Sequence, residues 1–211
     1  MRRIVQTEPS GLLLAAQLGG LLLYPFMEGA GGRALLSLFG VVVLALVVVA
    51  VHSTPAFTWV ALLLGFPATA LLLIQAATGE DSLLPYSSAL EAVLYFYAAG
   101  ALIAYMLADH RVTRDELYAV GATFTLVAWA FAYTFVVWQA IEPGSFGGER
   151  SWMELLFLSF TTLSSTGLSD IVPVEGFARS LVMLEQLAGV AYVAALVSRL
   201  VALTVPRRGG S

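Results

Sequence analysis

Residues Ser164-Ser165-Thr166-Gly167-Leu168-Ser169-Asp170 set four hydroxyls and one carboxyl around a single glycine. Oxygens in a row, from hydroxyls and from the carbonyls of an extended backbone, are what a partly dehydrated cation needs in place of its water. Asp170 would add a negative field at one end of such a row. Covalent chemistry has less to work with. The chain contains no cysteine, which excludes a disulfide framework, a thiol nucleophile and a cysteine metal site, and two histidines are scant material for a metal centre. A serine nucleophile needs a base, and His52 and His110 are both expected at the far ends of apolar stretches from Ser164–Ser169.

The elements that must hold these residues are set by composition. Of 211 residues, 59% are hydrophobic and 11% charged; the mean hydropathy is +0.88. That is outside the range of a water-soluble domain, and the charges gather in a few short loops. Apolar segments near 11–27, 34–51, 56–77, 88–108, 117–141 and 177–205 are each long enough to cross a bilayer, which predicts six spans. The stretch 151–163 is also apolar, but as a helix it reaches only about 20 Å against a hydrocarbon core of ~30 Å. It is expected to enter the membrane and turn back.

Arginine placement gives the orientation, because Lys and Arg in short loops stay on the cytoplasmic side. Arg2, Arg3, Arg111, Arg114, Arg207 and Arg208 fall on one side, and the opposite loops carry Glu80, Asp81, Glu142, Glu149, Glu154, Asp170 and Glu175 against Arg33, Arg150 and Arg179. Both termini are therefore expected in the cytoplasm, with the protein in the cell (inner) membrane. The first span, preceded by two arginines and followed by a small-residue run, resembles a signal peptide, but its removal would break that charge asymmetry. All ten basic residues are arginine and the net charge is −4, so a nucleic-acid partner is not expected. No internal repeat of transporter type is found.

The run SWMELLFLSFTTLSSTGLSDIVPV, Ser151–Val174, resembles the pore loop of the potassium-channel superfamily. Where typical members read TTLTTVGYGDIVP, this chain reads TTLSSTGLSDIVP and keeps Thr161, Thr162, Leu163, Gly167, Asp170, Ile171, Val172 and Pro173. The likeness includes Pro143-Gly144-Ser145-Phe146 and Ala178-Arg179-Ser180-Leu181, and over residues 1–115 it is only a generic likeness of four spans. It implies an all-α integral membrane protein: six transmembrane helices plus a re-entrant pore helix, in a tetrameric voltage-gated-like channel fold without sensor charges. The division it implies is a four-span sensor-like domain at 1–115, a pore domain at 116–205 and a cytoplasmic tail at 206–211. Within the pore domain come an outer helix, a pore helix at 152–163, a filter at 164–170 and an inner helix at 177–205. The highly charged Asp109–Glu116 stretch separates the two domains.

One chain has one loop, so a pore needs several chains, and the resemblance implies a homotetramer. The implied function is passage of monovalent cations, K⁺ first and Na⁺ second, with lipid and permeant ions as partners, no cofactor and no metal beyond those ions. No enzyme activity is expected. Gly167-Leu168-Ser169-Asp170 is similar to the Gly-x-Gly-Asp motif of intramembrane aspartyl proteases, but a second membrane-embedded aspartate is missing. A pore helix would aim its negative C-terminal end at the cavity, with Glu154 at its positive end.

The departures matter as much. Ser169 stands where the superfamily has a second glycine that permits positive φ, Leu168 replaces its tyrosine, and Phe157-Leu158 replace a tryptophan pair. The loop is also similar to those of Trk-type potassium uptake proteins, which keep one glycine flanked by Ser and Thr. Three readings stay open: a K⁺-preferring pore, a weakly selective Na⁺/K⁺ pore that also admits divalent ions, and a non-conducting structural or regulatory homologue. Asp170 is either a ring of charge at the outer mouth or a filter-bracing carboxylate.

Other residues have two readings each. Glu185, inside the sixth span, is expected as a buried carboxyl bonded to hydroxyls behind the filter. Gly189 is a gating-hinge candidate or a point of close helix approach. Arg199 is expected to snorkel to the interface or to tune the inner mouth. The fourth span carries Glu91 and no arginine, which excludes a voltage sensor of the usual kind, since each charge moved contributes about 2.3 kcal/mol per 100 mV. Gly65 and Pro67 predict a kink in the third span, and Gln17 and Gln75 are expected to bond between helices.

Overall fold

The computed structural model describes residues 8–24, 32–79, 81–108 and 113–204. Arg2, Arg3, His110, Arg111, Arg207, Arg208, Glu80 and the tail 206–211 lie outside the described residues. The described chain is all helical: α1 (Pro9–Leu23), α2 (Gly32–His52), α3 (Thr58–Thr78), α4 (Leu84–Leu107), α5 (Arg114–Ile141), α6 (Trp152–Leu163) and α7 (Gly176–Thr204), with a 3₁₀ turn at Asp81–Leu83. Four segments are long and apolar enough to cross a membrane: α3, α4, α5 and Gly176–Arg199 of α7. Helix α1, Leu38–His52 of α2 and α6 are apolar but shorter. The chain is a membrane protein by this measure, with α3 and α7 leaving most of their large apolar side chains exposed for lipid or protein to cover.

Helix α5 is the hub, packing against α1, α4, α6 and α7. Helix α1 runs parallel to it. The Asp115 carboxylate accepts the Ser10 N–H and hydroxyl, both at 3.0 Å, and so serves the free N-terminal donors of α1. Thr125 donates to Gln17 at 2.6 Å further along. Helix α4 runs antiparallel to α5, with Phe96 edge-on to Phe131 at 5.1 Å. Gln75 of α3 donates to Ser87 of α4 at 2.9 Å, so both glutamines bond between helices. Helix α3 continues through Pro67.

Two capping boxes start the helices that matter most. At α5 the Thr113 hydroxyl accepts from the Glu116 N–H while the Glu116 carboxylate accepts from the Thr113 N–H; Ser151 and Glu154 do the same for α6. Each box satisfies two donors that a helix start leaves open, and places an acid in the first turn where the helix dipole favours it.

The start of α6 is fixed by aromatic packing. Trp152 lies 5.4 Å from Trp129 and 5.5 Å from Tyr133, and Tyr95 of α4 closes the ring at 5.9 Å from Trp129 and 5.7 Å from Tyr133. Glu91, 1% exposed, sits one turn before Tyr95 and interacts with the Tyr133 hydroxyl. Helix α4 is thus anchored to α5 and α6 through packed rings and one buried acid.

Candidate functional site

The segment that carries Ser164–Asp170 leaves one end of α5 and returns to it. Gln139, near the end of α5, binds Arg150 twice, accepting its N–H and donating to its carbonyl, both at 2.9 Å. Helix α6 then runs back along α5 until Phe160 meets Phe124 at 6.3 Å. The chain turns there, and the Val174 N–H reaches the Ser145 carbonyl at 2.9 Å, closing the excursion beside its starting point. Phe135, Phe146, Leu155, Leu158, Ile171 and Val182 pack together under this loop.

Helix α6 ends in a tight turn whose residues are the site itself. The Thr166 N–H bonds the Thr161 carbonyl at 2.9 Å and the Ser165 N–H bonds Thr162 at 2.9 Å, which is the Schellman pattern. That turn needs a left-handed residue, and Ser165 supplies it with φ 58°, the one non-glycine among the described residues with positive φ. Gly167 follows with φ 66°, its N–H on Thr161 at 3.0 Å. The Thr166 hydroxyl reaches the same Thr161 carbonyl at 3.2 Å, and Ser164 bonds Phe160 through both its N–H and its hydroxyl. The last carbonyls of α6 are therefore largely spent on the turn, which lessens the dipole field the helix end can project.

The donors of Ser164–Gly167 point back into α6, and the acceptors do not. No carbonyl from Ser164 to Asp170 accepts a hydrogen bond among the described residues. Ser164–Leu168 are exposed on the single chain, Leu168 at 78%. Ser169 takes an ordinary φ and uses its hydroxyl to accept the Ile171 N–H at 3.0 Å, a local turn in place of the left-handed step a glycine would allow. Asp170 is exposed and makes no hydrogen bond among the described residues. Bracing of this segment by Asp170 within its own chain is not observed.

Behind the segment, Gly189 of α7 lies against α6. A Cβ at position 189 would overlap the Leu163 carbonyl, so glycine is required for this approach. One turn earlier, Glu185 bonds the Ser159 hydroxyl, and both are fully buried. The ends of α7 are tied to α5. At one end Glu175 accepts from the Phe177 and Ala178 N–H groups at 2.8 and 3.0 Å and from the Trp138 indole at 3.0 Å. Those backbone N–H groups, Phe177 first, hold the Glu175 carboxyl below the usual carboxylate range. At the other end Tyr192 donates to the Val120 carbonyl at 2.7 Å and Arg199 pairs with Glu116 at 3.4 Å. Arg199 there meets an acid that is itself buried.

A family model described as an ion channel matches residues 92–205, more than half of the chain. The chain belongs to this ion channel family. The match takes in α5, α6, the Ser164–Asp170 turn and α7, and begins inside α4, so the anchoring of α4 on α5 falls partly within the ion channel region. No curated protein and no solved structure matches the chain.

Several contributors were not singled out from the sequence: Ser159, Gln139, Trp138, and the ring of Tyr95, Trp129, Tyr133 and Trp152. Ser and Gln in apolar helices carried a signal as polar residues in need of partners. The aromatic residues carried none, since aromatics are common throughout the chain.

Proposed function

We propose that the chain forms a homotetrameric pore that passes monovalent cations, K⁺ in preference to Na⁺, in the cell (inner) membrane with both termini in the cytoplasm. In this reading α1–α5 and α7 are the six spans and α6 is a re-entrant pore helix. Residues 1–115 are a scaffold without sensor charges, and 116–205 are the pore domain. Ions enter past Asp170, are held by the carbonyls and hydroxyls of Ser164, Ser165, Thr166, Gly167, Leu168 and Ser169, and leave between the copies of α7.

The observation that carries this reading is the split of the turn after α6: its N–H groups are tied to the helix and its carbonyls are left free on an exposed segment. Irregular backbone with unpaired carbonyls is tolerated at membrane depth only where it lines water or is buried in protein, and copies around one axis meet both conditions. The exposed apolar residues of α7, among them Met183, Leu187 and Val190, offer the contact surface such copies need.

A weakly selective Na⁺/K⁺ pore is the second reading, and Ser169 favours it. Its ordinary φ removes one left-handed step from the row, and with fewer stacked carbonyl layers an ion keeps more of its water. Uptake of radioactive rubidium by proteoliposomes under a K⁺ gradient, with Na⁺ and then divalent competitors, tests both. Uptake blocked by K⁺ alone supports the first, uptake blocked equally by Na⁺ supports the second, and no uptake contradicts conduction.

A further inference from the structure

Ser159 holds two acceptors with one proton. Its Oγ lies 2.7 Å from the Ala128 carbonyl of α5 and also bonds Glu185 Oε1 of α7. A hydroxyl donates once and a backbone carbonyl cannot donate at all, so when Ser159 donates to Ala128 the proton of the second bond must come from the carboxyl. We propose that Glu185 is a neutral carboxylic acid that donates to Ser159, which donates to Ala128, and that this relay positions α6 and its filter between α5 and α7.

The surroundings suit a neutral acid. Glu185 and Ser159 have no exposed surface. Ion pairs among the described residues join Arg150 to Glu154 and Arg199 to Glu116, and neither offers a cation to Glu185. Its second oxygen, Oε2, has no partner, which a carbonyl oxygen bears at far less cost than half of a buried carboxylate does. The relay also sits in register with a second contact: Glu185 and Gly189, one turn apart on α7, meet Ser159 and Leu163, one turn apart on α6. A hydrogen bond and a backbone contact together fix both the height and the rotation of α6. The filter role of this relay rests on the channel reading; the proton assignment does not.

The test is infrared spectroscopy of the reconstituted protein at neutral pH, read beside ion flux. Glu185→Gln removes one carboxylic-acid C=O band and Ser159→Ala shifts it. In flux, Glu185→Gln, whose amide N–H still donates to Ser159, stays within about twofold of wild type, while Glu185→Ala, which takes away the donor to the Ser159 oxygen and the side chain that joins α7 to α6, loses about tenfold or more. An unchanged acid band in Glu185→Gln would overturn the inference, as would a Gln variant as damaged as the Ala variant. The band is read whether or not ions pass, so a wild type that shows it yet carries no ion contradicts the channel reading and upholds the neutral acid.

Discussion

Gly189 of α7 lies against the carbonyl of Leu163, the last residue of α6, so closely that no side chain fits between them. The residue that ends α6 and the gating-hinge candidate of α7 therefore meet in one contact. Gly189→Ala must push the helices apart, and overpacking of this kind costs about 1–3 kcal/mol. Thermal unfolding in detergent should show a clear loss of stability together with reduced flux. A hinge acting by bending alone predicts altered gating with unchanged stability, so the two measurements separate these roles.

Gly167 is needed for a different reason. Its φ is 66° and nothing lies within 4 Å of where a Cβ would be, so the constraint is the backbone and not space. An L-alanine there pays about 1–2 kcal/mol for the left-handed conformation, and selective flux is expected to fall sharply. D-Alanine introduced by semisynthesis prefers that region and should restore it. Equal damage from both isomers would show that something occupies the space in the assembled protein.

The Arg199–Glu116 pair joins the end of α7 to the first turn of α5 at 3.4 Å, with both side chains largely buried. Removing either charge breaks this largely buried contact between α5 and α7, so Arg199→Gln and Glu116→Gln should each destabilise the protein. The double variant should do less harm than their sum, with a coupling of about 0.5 kcal/mol or more. Strict additivity would mean that the pair contributes nothing.

Glu175 gives the N-terminal end of α7 a pH dependence. Its folded-state pKa is depressed, so its contribution is present above the unfolded value and is lost as pH falls through the folded one, below the usual carboxylate range. Hydrogen exchange should show the Phe177 and Ala178 amides losing protection on acidification. In Glu175→Ala, which has no side-chain acceptor, protection should be low throughout and insensitive to that change. Amides that stay protected in the variant would contradict the cap.

Much of this was legible in the sequence for physical reasons. The helices follow from apolar runs bounded by charge, Pro and Gly, and α6 from an apolar stretch too short to cross a bilayer with Glu154 at its start. Ser164–Asp170 stood out because hydroxyls cluster there around one glycine. What stayed hidden was pairing. Nothing local to Arg199 announces Glu116, 83 residues away, or links Ser159 to Glu185 across 26. Ser165 was hidden too: the demand for a left-handed residue comes from the Schellman turn, and a serine there gives no sign that a glycine would have given.

Conduction of cations along the Ser164–Asp170 carbonyls is read in the reversal potentials of the purified protein in planar bilayers. Asymmetric KCl should give a cation-directed potential, KCl/NaCl bi-ionic conditions a shift toward K⁺, and Gly167→Val no current. Absence of current from the wild type, an anion-directed potential, or an unchanged current in Gly167→Val would contradict it.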